Sequence, residues 1–351
     1  MTRRWELMIN HTNHWTGDIE MTQKEFDDIW HDCRDYVVCH TSGSTGLPKE
    51  IRLSKAFMRR SAIRTNEFFG IDSGSRLHTC LDFKYIASMM MTVRADMAGC
   101  RLSSETPSSR PLGDIAKDER IDLLSVVPAQ MEWLLDATER WTGLRNILVG
   151  GSAIPFMMRR RISMSGYNVW ESYGMTETAS HIALRKVDDT DIPFKTLDGI
   201  TVDKNEGDCL IIHLPDGDSL TTTDVADVIS PHEFRILGRA DHTVISGGIK
   251  IRPEELEQRL GPFIAFDYCI SSIPDRKWGE RLVIVVEAPD RNMNEDLLKD
   301  AVGVRLKQYR KILELGVKSP KEVLVISSLP RTPKGKIDRL SLRNQLRECG
   351  I

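Results

Sequence analysis

A nine-residue string rich in glycine and hydroxyl side chains is the most distinctive chemical feature of this sequence. It reads Thr41-Ser42-Gly43-Ser44-Thr45-Gly46-Leu47-Pro48-Lys49. The two glycines let the backbone turn tightly and approach a ligand, while hydroxyls and backbone N–H groups can donate hydrogen bonds to an anion. Lys49 adds a positive charge. The string therefore predicts a loop that binds a polyphosphate.

This loop departs from the Walker pattern of P-loop nucleotidases. Counted from Gly43, the sixth position of that pattern should be glycine, and it is Pro48 here. The residues that follow, 49–53, alternate like a β-strand, whereas a P-loop opens a helix. A kinase or P-loop NTPase is therefore disfavoured, although a bare Ser/Thr/Gly string can also be a simple surface turn.

The complete string resembles the phosphate loop of the adenylate-forming superfamily, which comprises acyl-CoA synthetases, peptide-synthetase adenylation domains and luciferases. The resemblance implies that one set of residues binds ATP phosphates, namely Thr41, Ser42, Gly43, Ser44, Thr45, Gly46 and Lys49. Gly151, in the string Gly150-Gly151-Ser152-Ala153-Ile154-Pro155, is assigned to the same nucleotide site.

Two further motifs stand where this resemblance requires them. Tyr173-Gly174-Met175-Thr176-Glu177 resembles the Y-G-x-T-E motif. This implies that Tyr173 lies at the nucleotide, that Thr176 contacts the α-phosphate and that Glu177 helps hold Mg²⁺, a cation suited to bridging phosphate oxygens. Asp224 stands at the T-G-D position, although the middle glycine is absent, and would bind the ribose hydroxyls.

The next two motifs imply a pivot and a CoA channel. Gly238-Arg239-Ala240-Asp241 resembles the G-R-x-D hinge, with Arg239 at the nucleotide and Asp241 as the pivot. Ser246-Gly247-Gly248-Ile249-Lys250 resembles the glycine strand that lines the CoA channel in acyl-CoA synthetases. A β-bulge is the alternative interpretation of Gly247 and Gly248.

The last motif provides a candidate catalytic residue. The segment from Pro330 to Arg339 resembles the C-terminal lysine motif of the superfamily, in which Lys336 would bridge the acid carboxylate and the α-phosphate. An ammonium point charge suits the negative charge that grows in such a displacement. A basic segment at the start of a solvated helix is the simpler alternative.

The pattern of elements predicts an α/β fold. Between residues 35 and 173, β-rich runs (36–40, 77–81, 121–127, 146–149, 168–171) alternate with helical patterns (54–69, 85–98, 129–138, 155–165). Such alternation indicates a mostly parallel sheet flanked by helices. Residues 199–238 change to short strands and turns, which predicts a small β subdomain.

A smaller α+β unit is predicted after this β-rich segment. Its helices are expected at residues 253–260, 294–307 and the C-terminus, and its strands at 264–272, 282–287 and 322–326. We expect an N-terminal adenylation domain (1–239) and a small mobile C-terminal domain (240–351) with its hinge near Asp241. Only 40 residues precede the phosphate loop, so the resemblance implies a trimmed member without the usual first subdomain.

Composition limits the class of protein. The 351 residues include 48 basic and 51 acidic side chains, a net charge of −3, which argues against a nucleic-acid partner. No apolar run approaches the roughly 20 residues of a membrane helix, and no signal peptide is evident. Seven cysteines without a C-x-x-C pair indicate a reducing compartment, so we expect a cytoplasmic protein without structural zinc. An oligomer is possible.

The acid substrate is suggested by one arginine. Residues 127–130 (V-P-A-Q), the string 150–155 and the short chain resemble the o-succinylbenzoate–CoA ligases of menaquinone biosynthesis, whose acid keeps a second carboxylate. In the predicted helix 85–98, Arg94 lies about 40° from Met90 on the apolar face. A bidentate carboxylate is its natural partner, whereas snorkelling to solvent or pairing with a protein aspartate are alternatives. Ser180 and His181 could also face this pocket, as could Arg185.

The resemblance as a whole implies an AMP-forming acid–CoA ligase. Its small-molecule partners would be ATP, CoA and an aromatic dicarboxylic acid, with Mg²⁺ as the cofactor. Two alternatives remain. One is a stand-alone enzyme that adenylates an aryl or amino acid and loads a carrier protein. The other is a non-catalytic nucleotide-binding relative, which would have no need of both Glu177 and Lys336.

Overall fold

The computed structural model describes residues 21–41, 49–188, 192–288, 294–315, 318–332 and 336–348. Within these ranges the α-helices are α1 (Gln23–Trp30), α2 (Lys55–Phe69), α3 (Ile86–Ala98), α4 (Pro128–Asp136), α5 (Phe156–Ser165), α6 (Pro253–Leu260), α7 (Glu295–Ile312) and α8 (Arg339–Glu348). None of the helices in the described part of the chain has the length and apolar character needed to cross a membrane.

The strands of the described residues fall into four sheets. In chain order they are β1 (Tyr36–Thr41), β2 (Lys49–Ser54), β3 (Arg76–Thr79), β4 (Arg101–Ser104), β5 (Leu123–Val126), β6 (Ile147–Val149), β7 (Val169–Met175), β8 (Ser180–Lys186), β9 (Phe194–Thr196), β10 (Thr201–Lys204), β11 (Cys209–His213), β12 (Ser219–Ser230), β13 (Glu233–Arg239), β14 (Val244–Ser246), β15 (Ile249–Ile251), β16 (Tyr268–Asp275), β17 (Gly279–Glu287) and β18 (Glu322–Ile326).

Eleven of these strands form one central sheet. Their order is β10-β11-β12-β13-β9-β8-β7-β6-β5-β3-β4. Strands β4, β3, β5, β6 and β7 run parallel, as predicted from the alternation of strands and helices. From β8 onward the pairing is antiparallel, and the predicted β-rich segment 199–238 extends the same sheet. The α/β fold class is therefore confirmed.

Local sequence explains the elements that carry the site. Strands β5 and β6 are buried along their whole length, as expected of parallel strands covered on both faces. Helix α2 begins after Ser54, whose hydroxyl accepts a hydrogen bond from the Phe57 amide at 3.1 Å, and ends at Gly70 in the left-handed region (φ 64°). The predicted helix at 54–69 is therefore confirmed.

One predicted strand lies outside the central sheet. Strand β1 pairs antiparallel with β2 alone, in register from Tyr36 opposite Ser54 to Thr41 opposite Lys49. The physical reason is the short connection, since a parallel pair would need a long crossover between its strands. The hairpin therefore brackets the predicted phosphate loop, of which residues 42–48 lie outside the described part of the chain.

The elements after residue 239 form smaller sheets. Strands β14 and β15 make a hairpin, whereas β16 and β17 pair antiparallel and β17 and β18 pair parallel. Their apolar side chains pack with α6, α7 and α8 into clusters of their own, around Ile284 and Val302 and around Val285 and Leu342. Helix α6 and strand β18 have the bounds predicted from the sequence.

Candidate active site

The β1–β2 hairpin lies beside the Thr176–Glu177 motif. Both strands contact the 3₁₀ turn Thr176–Thr178 that follows β7. Thr41 and Lys49 are paired where the hairpin passes into the predicted phosphate loop. Thr176 is half-buried and Glu177 is exposed. The fold therefore brings the two strands that flank the predicted phosphate loop into contact with the turn that is predicted to hold Mg²⁺.

The turn after Thr176 is held in an unusual backbone conformation. Ala179 and Ser180 adopt positive φ angles of 50° and 94°, a conformation that costs about 1–3 kcal/mol at a non-glycine residue. The Thr178 hydroxyl donates to the Ser180 carbonyl at 2.7 Å, and the Ser61 hydroxyl donates to the Ala179 carbonyl at 2.9 Å. A Cβ atom on Gly174 would lie 2.2 Å from the Ser180 carbonyl oxygen, so glycine is required there.

A second cluster joins three of the predicted nucleotide residues. The Tyr173 hydroxyl donates to Oδ2 of Asp224 at 2.7 Å, and the Tyr173 ring packs against Phe194 and Phe234. Arg239 is the cross-strand partner of Asp224, with 3.7 Å between Nη1 and Oδ1. Burial and the neighbouring Asp224 carboxylate raise the pKa of Tyr173, so its hydroxyl remains a donor.

Lys336 lies within electrostatic reach of this cluster. Lys336 is exposed at its surface. Desolvation lowers the pKa of Lys336; the charge of Arg239 lowers it further and that of Asp224 opposes the shift. The C-terminal motif therefore brings a lysine close enough for its charge to interact with those of Asp224 and Arg239.

Arg239 also holds the predicted pivot. Its Nε and Nη2 atoms donate to the two carboxylate oxygens of Asp241, at 2.9 and 2.7 Å. This fork is the strongest geometry for an arginine–carboxylate pair, and it lowers the pKa of Asp241. Because Arg239 ends β13 and Asp241 lies in the next turn, the pair fixes the path of the chain between the two groups of sheets.

Gly247 and Gly248 form the turn of the β14–β15 hairpin. Both have positive φ angles, 57° and 80°, as in the tight two-residue turns that favour glycine. A Cβ atom on Gly247 would lie 2.5 Å from the Trp278 ring, and its amide donates to the Trp278 carbonyl at 2.8 Å. The predicted glycine strand is therefore a hairpin turn, and its contact with CoA stays a prediction.

A buried ion cluster holds the loop that contains Gly151, whose own φ is 88°. The Glu171 carboxylate accepts from the Ile154 amide at 3.2 Å and pairs with Arg159 and Arg185. The sequence placed Glu171 at the end of a predicted strand (168–171) but not in the site, although a carboxylate next to the apolar Val169 and Trp170 was an available signal. Arg185, considered from the sequence for the acyl pocket, pairs with the Glu171 carboxylate and lies over the Phe194 ring.

The three residues predicted to bind the acid lie together. Arg94 on α3 donates from Nη2 to the Ser180 hydroxyl at 3.1 Å, and the same atom lies 3.4 Å from Nδ1 of His181. His181 also contacts Thr65 on α2, which the sequence analysis missed. The spacing of Ser61 and Thr65, one helical turn apart on α2, was the available signal for a polar side of that helix.

Arg94 is a buried cation without a carboxylate partner among the described residues. Its exposed fraction is 1%, and burial lowers its pKa to about 9. Nη1 contacts only the Met91 sulfur, at 3.5 Å, and Nε is buried with no hydrogen-bond partner in the described part of the protein. Burying an unpaired charge costs free energy, so the position favours an anionic ligand. Snorkelling to solvent does not account for it, and neither does any aspartate among the residues that the structure describes.

Comparison with known proteins identifies the family. The model of the AMP-binding enzyme family matches residues 11–206, which is more than half of the chain. The chain belongs to the AMP-binding enzymes. The predicted membership of the adenylate-forming superfamily is therefore confirmed.

Individual relatives in this family have several names. The chain is 27% identical over 356 residues to an indoleacetate–CoA ligase of Aromatoleum aromaticum, covering 88% of this chain and 66% of the relative. It is 24% identical over 358 residues to a 2-succinylbenzoate–CoA ligase of Listeria monocytogenes, covering 94% and 74%. The chain thus spans about two thirds to three quarters of the length of these relatives.

A solved structure of similar length also matches this AMP-binding enzyme. It is an acyl-CoA synthetase (AMP-forming)/AMP-acid ligase II-like protein from Dyadobacter fermentans, with 29% identity and a TM-score of 0.58. The match covers 92% of this chain and 93% of that structure. The likeness therefore extends over nearly the whole of both chains.

Proposed function

We propose that this protein is an AMP-forming acid–CoA ligase. The observation that carries the proposal is that Lys336, from the C-terminal motif, lies within electrostatic reach of Asp224 and Arg239, which are joined to Tyr173 in the nucleotide cluster. The contact of the β1–β2 hairpin with the Thr176–Glu177 turn supports the same assignment. Membership of the AMP-binding enzymes and the ligase names of its relatives agree with it.

The first step joins the acid to AMP. A carboxylate oxygen of the acid attacks the α-phosphorus of ATP, and the bond from that phosphorus to the pyrophosphate oxygen breaks. Lys336 stabilises the negative charge that develops between the carboxylate and the α-phosphate. Asp224 accepts hydrogen bonds from the ribose hydroxyls, and the Tyr173 hydroxyl holds that carboxylate in place.

The second step transfers the acyl group to CoA. The CoA sulfur attacks the acyl carbon, the bond to the AMP oxygen breaks, and the thiol proton is released to solvent. We assign residues 1–239 and 240–351 to two domains that pivot at Asp241 between these steps. The separate apolar clusters after residue 239 and the short Arg239–Asp241 fork support this division.

The proposed reaction requires Mg²⁺ with ATP, and the residues at the turn suit it. Mg²⁺ is usually held by one or two carboxylates together with substrate phosphates, not by a cage of protein ligands. Glu177 offers one exposed carboxylate beside the phosphate-loop hairpin. When bound, the ion would neutralise charge on the phosphate oxygens.

We further propose o-succinylbenzoate as the acid, which would place the protein in menaquinone biosynthesis. The support is the buried, uncompensated Arg94 beside Ser180, because an acid with a second carboxylate can supply the missing negative charge. The likeness to a 2-succinylbenzoate–CoA ligase agrees with this choice. Another relative, the indoleacetate–CoA ligase, is named for an acid with a single carboxylate. A requirement for the charge of Arg94 would therefore distinguish the two kinds of acid.

An ATP–pyrophosphate exchange screen tests the reaction and the substrate separately. We expect exchange with o-succinylbenzoate and little with benzoate, indoleacetate, fatty acids or amino acids. Exchange with a fatty acid alone would overturn the substrate and leave the reaction class standing. Adenylation without any thioester after CoA is added would favour a carrier-protein loading enzyme, and no exchange with any acid would contradict an adenylating function.

Variants of Arg94 test the second-carboxylate site directly. Arg94→Lys keeps the charge but loses the fork, and Arg94→Met removes the charge while keeping much of the apolar stem. We expect each to raise the KM for o-succinylbenzoate at least about tenfold, since a hydrogen bond to a charged group contributes roughly 1.5–3 kcal/mol. The KM for ATP should not change. Arg101→Lys on the exposed end of β4 is the matched control. A wild-type KM for this acid in both variants would make Arg94 structural.

A further inference from the structure

We propose that His181 positions Arg94 and does not itself contact the acid. Its imidazole is neutral, is held as the Nε2–H tautomer by Thr65, and accepts a hydrogen bond from the guanidinium of Arg94. This bond positions the guanidinium for the second carboxylate of the substrate. This inference rests on the acid site proposed above. It makes His181 a positioning residue, and it assigns Thr65 a role in substrate selection.

The imidazole bridges two helices. Its Nε2 atom lies 3.0 Å from the Thr65 hydroxyl oxygen on α2, and its Nδ1 atom lies 3.4 Å from Nη2 of Arg94 on α3. The Ser180 hydroxyl lies 3.4 Å from the same Nδ1 atom. All of the polar atoms of the ring are thus occupied by protein groups, and the residue is only 4% exposed.

Both ends of the ring require the same tautomer. The Thr65 hydroxyl donates to the Ser61 carbonyl one turn earlier, at 3.2 Å, so its oxygen is left to accept a proton from Nε2. At the other end Arg94 has only N–H donors, so Nδ1 must be the acceptor. A proton on Nδ1 would point at another N–H group, and the Thr65 hydroxyl would have to give up its bond to the Ser61 carbonyl in order to donate to Nε2.

Charge reinforces this assignment. Burial and the positive charge of Arg94 both lower the pKa of His181 well below its ordinary value of 6.5. Among the described residues, Arg94 is the charged group that acts on the ring, and no carboxylate offsets it. The imidazole is therefore neutral, and it restrains the guanidinium without cancelling its charge.

The restraint leaves two donor atoms of the guanidinium without a strong acceptor. Nη2 is held by His181 and Ser180, and Nη1 has only a weak acceptor, the Met91 sulfur. Nε is buried and has no partner in the described part of the chain. A carboxylate that pairs with this side of Arg94 would satisfy the unpartnered donor and supply the counter-charge. The ring of His181 has no such unsatisfied atom to offer the substrate.

Two amide substitutions separate the two ends of the ring. His181→Asn places its amide oxygen near the position of Nδ1 and can still accept from Arg94, whereas His181→Gln extends its amide toward Thr65. We expect His181→Gln to raise the KM for o-succinylbenzoate about tenfold or more, and His181→Asn about threefold or less. The KM for ATP and kcat at saturating acid should change little in both. If His181→Asn and His181→Gln raised the KM for o-succinylbenzoate equally, the positioning role of His181 would be overturned.

Thr65 supplies a second pair of variants. Thr65→Val removes the oxygen that fixes the tautomer, whereas Thr65→Ser retains it. We expect the valine variant to raise the KM for the acid and the serine variant to restore it, at unchanged melting temperature for serine. A serine variant as impaired as the valine variant would contradict the role of the hydroxyl.

A readout that does not use activity keeps this inference separate from the proposed function. Long-range ¹H–¹⁵N spectra of the full chain labelled at histidine report which ring nitrogen carries the proton, and His181→Asn identifies the signal. We expect a protonated Nε2 and an unprotonated Nδ1 from about pH 6 to about pH 8. A cationic ring, or a proton on Nδ1, would overturn the inference even if o-succinylbenzoate is the substrate. If no acid supported ATP–pyrophosphate exchange, the proposed function would be overturned, whereas the spectra would still show which nitrogen of His181 carries the proton.

Discussion

The Tyr173 hydroxyl donates a 2.7 Å hydrogen bond to the Asp224 carboxylate across three intervening strands of the central sheet. Tyr173 lies in the C-terminal half of β7 and Asp224 lies on β12, with β8, β9 and β13 between them in the sheet order. In a flat sheet, neighbouring strands about 4.8 Å apart would separate these two backbones by roughly 19 Å. The sheet therefore curls at its antiparallel half, and this curvature assembles the proposed nucleotide site.

Tyr173→Phe tests that bond. The substitution removes the hydroxyl and preserves the ring that packs on Phe194 and Phe234. A net hydrogen-bond contribution of about 0.5–1.5 kcal/mol predicts a KM for ATP about two- to tenfold higher, with little change for the acid. Steady-state kinetics in both substrates measures this. Tyr309→Phe, whose ring stacks on Phe263 in the C-terminal elements, is the control. An unchanged KM for ATP would show that Tyr173 does not support ribose binding.

Lys336→Ala should nearly abolish adenylate formation and spare thioester formation from supplied acyl-adenylate. Loss of one charge contact in a transition state commonly costs about 2–4 kcal/mol, or roughly 10²–10³ in rate. Pyrophosphate exchange measures the first half-reaction, and thioester release from synthetic acyl-adenylate measures the second. Equal loss of both would point to a folding defect, which the melting temperature would reveal.

Asp241→Pro should impair thioester formation more than adenylation. Proline fixes φ near −65°, which restrains the proposed pivot. Because the substitution also removes the fork from Arg239, Asp241→Ala is the matched control, with the same lost contact and a free backbone. We expect slow CoA transfer in the proline variant alone. Normal transfer in that variant would show that the pivot lies elsewhere.

His181 should make the protein lose stability in mild acid. Its pKa in the folded state lies well below the ordinary value of 6.5, so the unfolded chain binds the proton first as the pH falls. The free energy of unfolding should therefore decrease below about pH 6.5, by up to about 1.4 kcal/mol per pH unit from this residue. Urea unfolding of wild type and His181→Asn at several pH values measures the difference.

Between about pH 6.5 and about pH 5, the free energy of unfolding of His181→Asn should fall less steeply with decreasing pH than that of the wild type. Burial also lowers the pKa of His78. Because His78 is present in both proteins, its effect on the pH dependence of stability cancels in the comparison. Parallel slopes for the two proteins would mean that His181 takes up its proton equally well in the folded and unfolded states.

Much of the local structure could be predicted because its causes lie within a few residues. Ser54 and Gly70 supply both ends of α2, and Pro253 occupies the first position of α6. The bounds of β18 follow from its run of apolar residues. The motifs around Thr176, Arg239 and Lys336 are likewise contiguous strings, so the sequence alone is enough to infer the family.

The predictions were less accurate where a partner far along the chain decides the outcome. Strand β1 matches the pattern of a strand, but only its pairing with β2 shows that it stands apart from the central sheet. Likewise, the sequence predicts that Glu171 belongs to a strand. Its hydrogen bond from the Ile154 amide depends on the pairing of β6 with β7, which the sequence does not specify.

By itself, the sequence determined the kind of chemistry and the elements that carry it, because residue type, capping and periodicity act over one or two turns. Only the tertiary structure decided which charges meet. From the sequence, the guanidinium of Arg94 could reach solvent, pair with an aspartate or bind a ligand. The packing of α2, α3 and β8 buries it beside His181. The cause is long-range: desolvation and pairing depend on atoms that the folded chain brings together from distant positions.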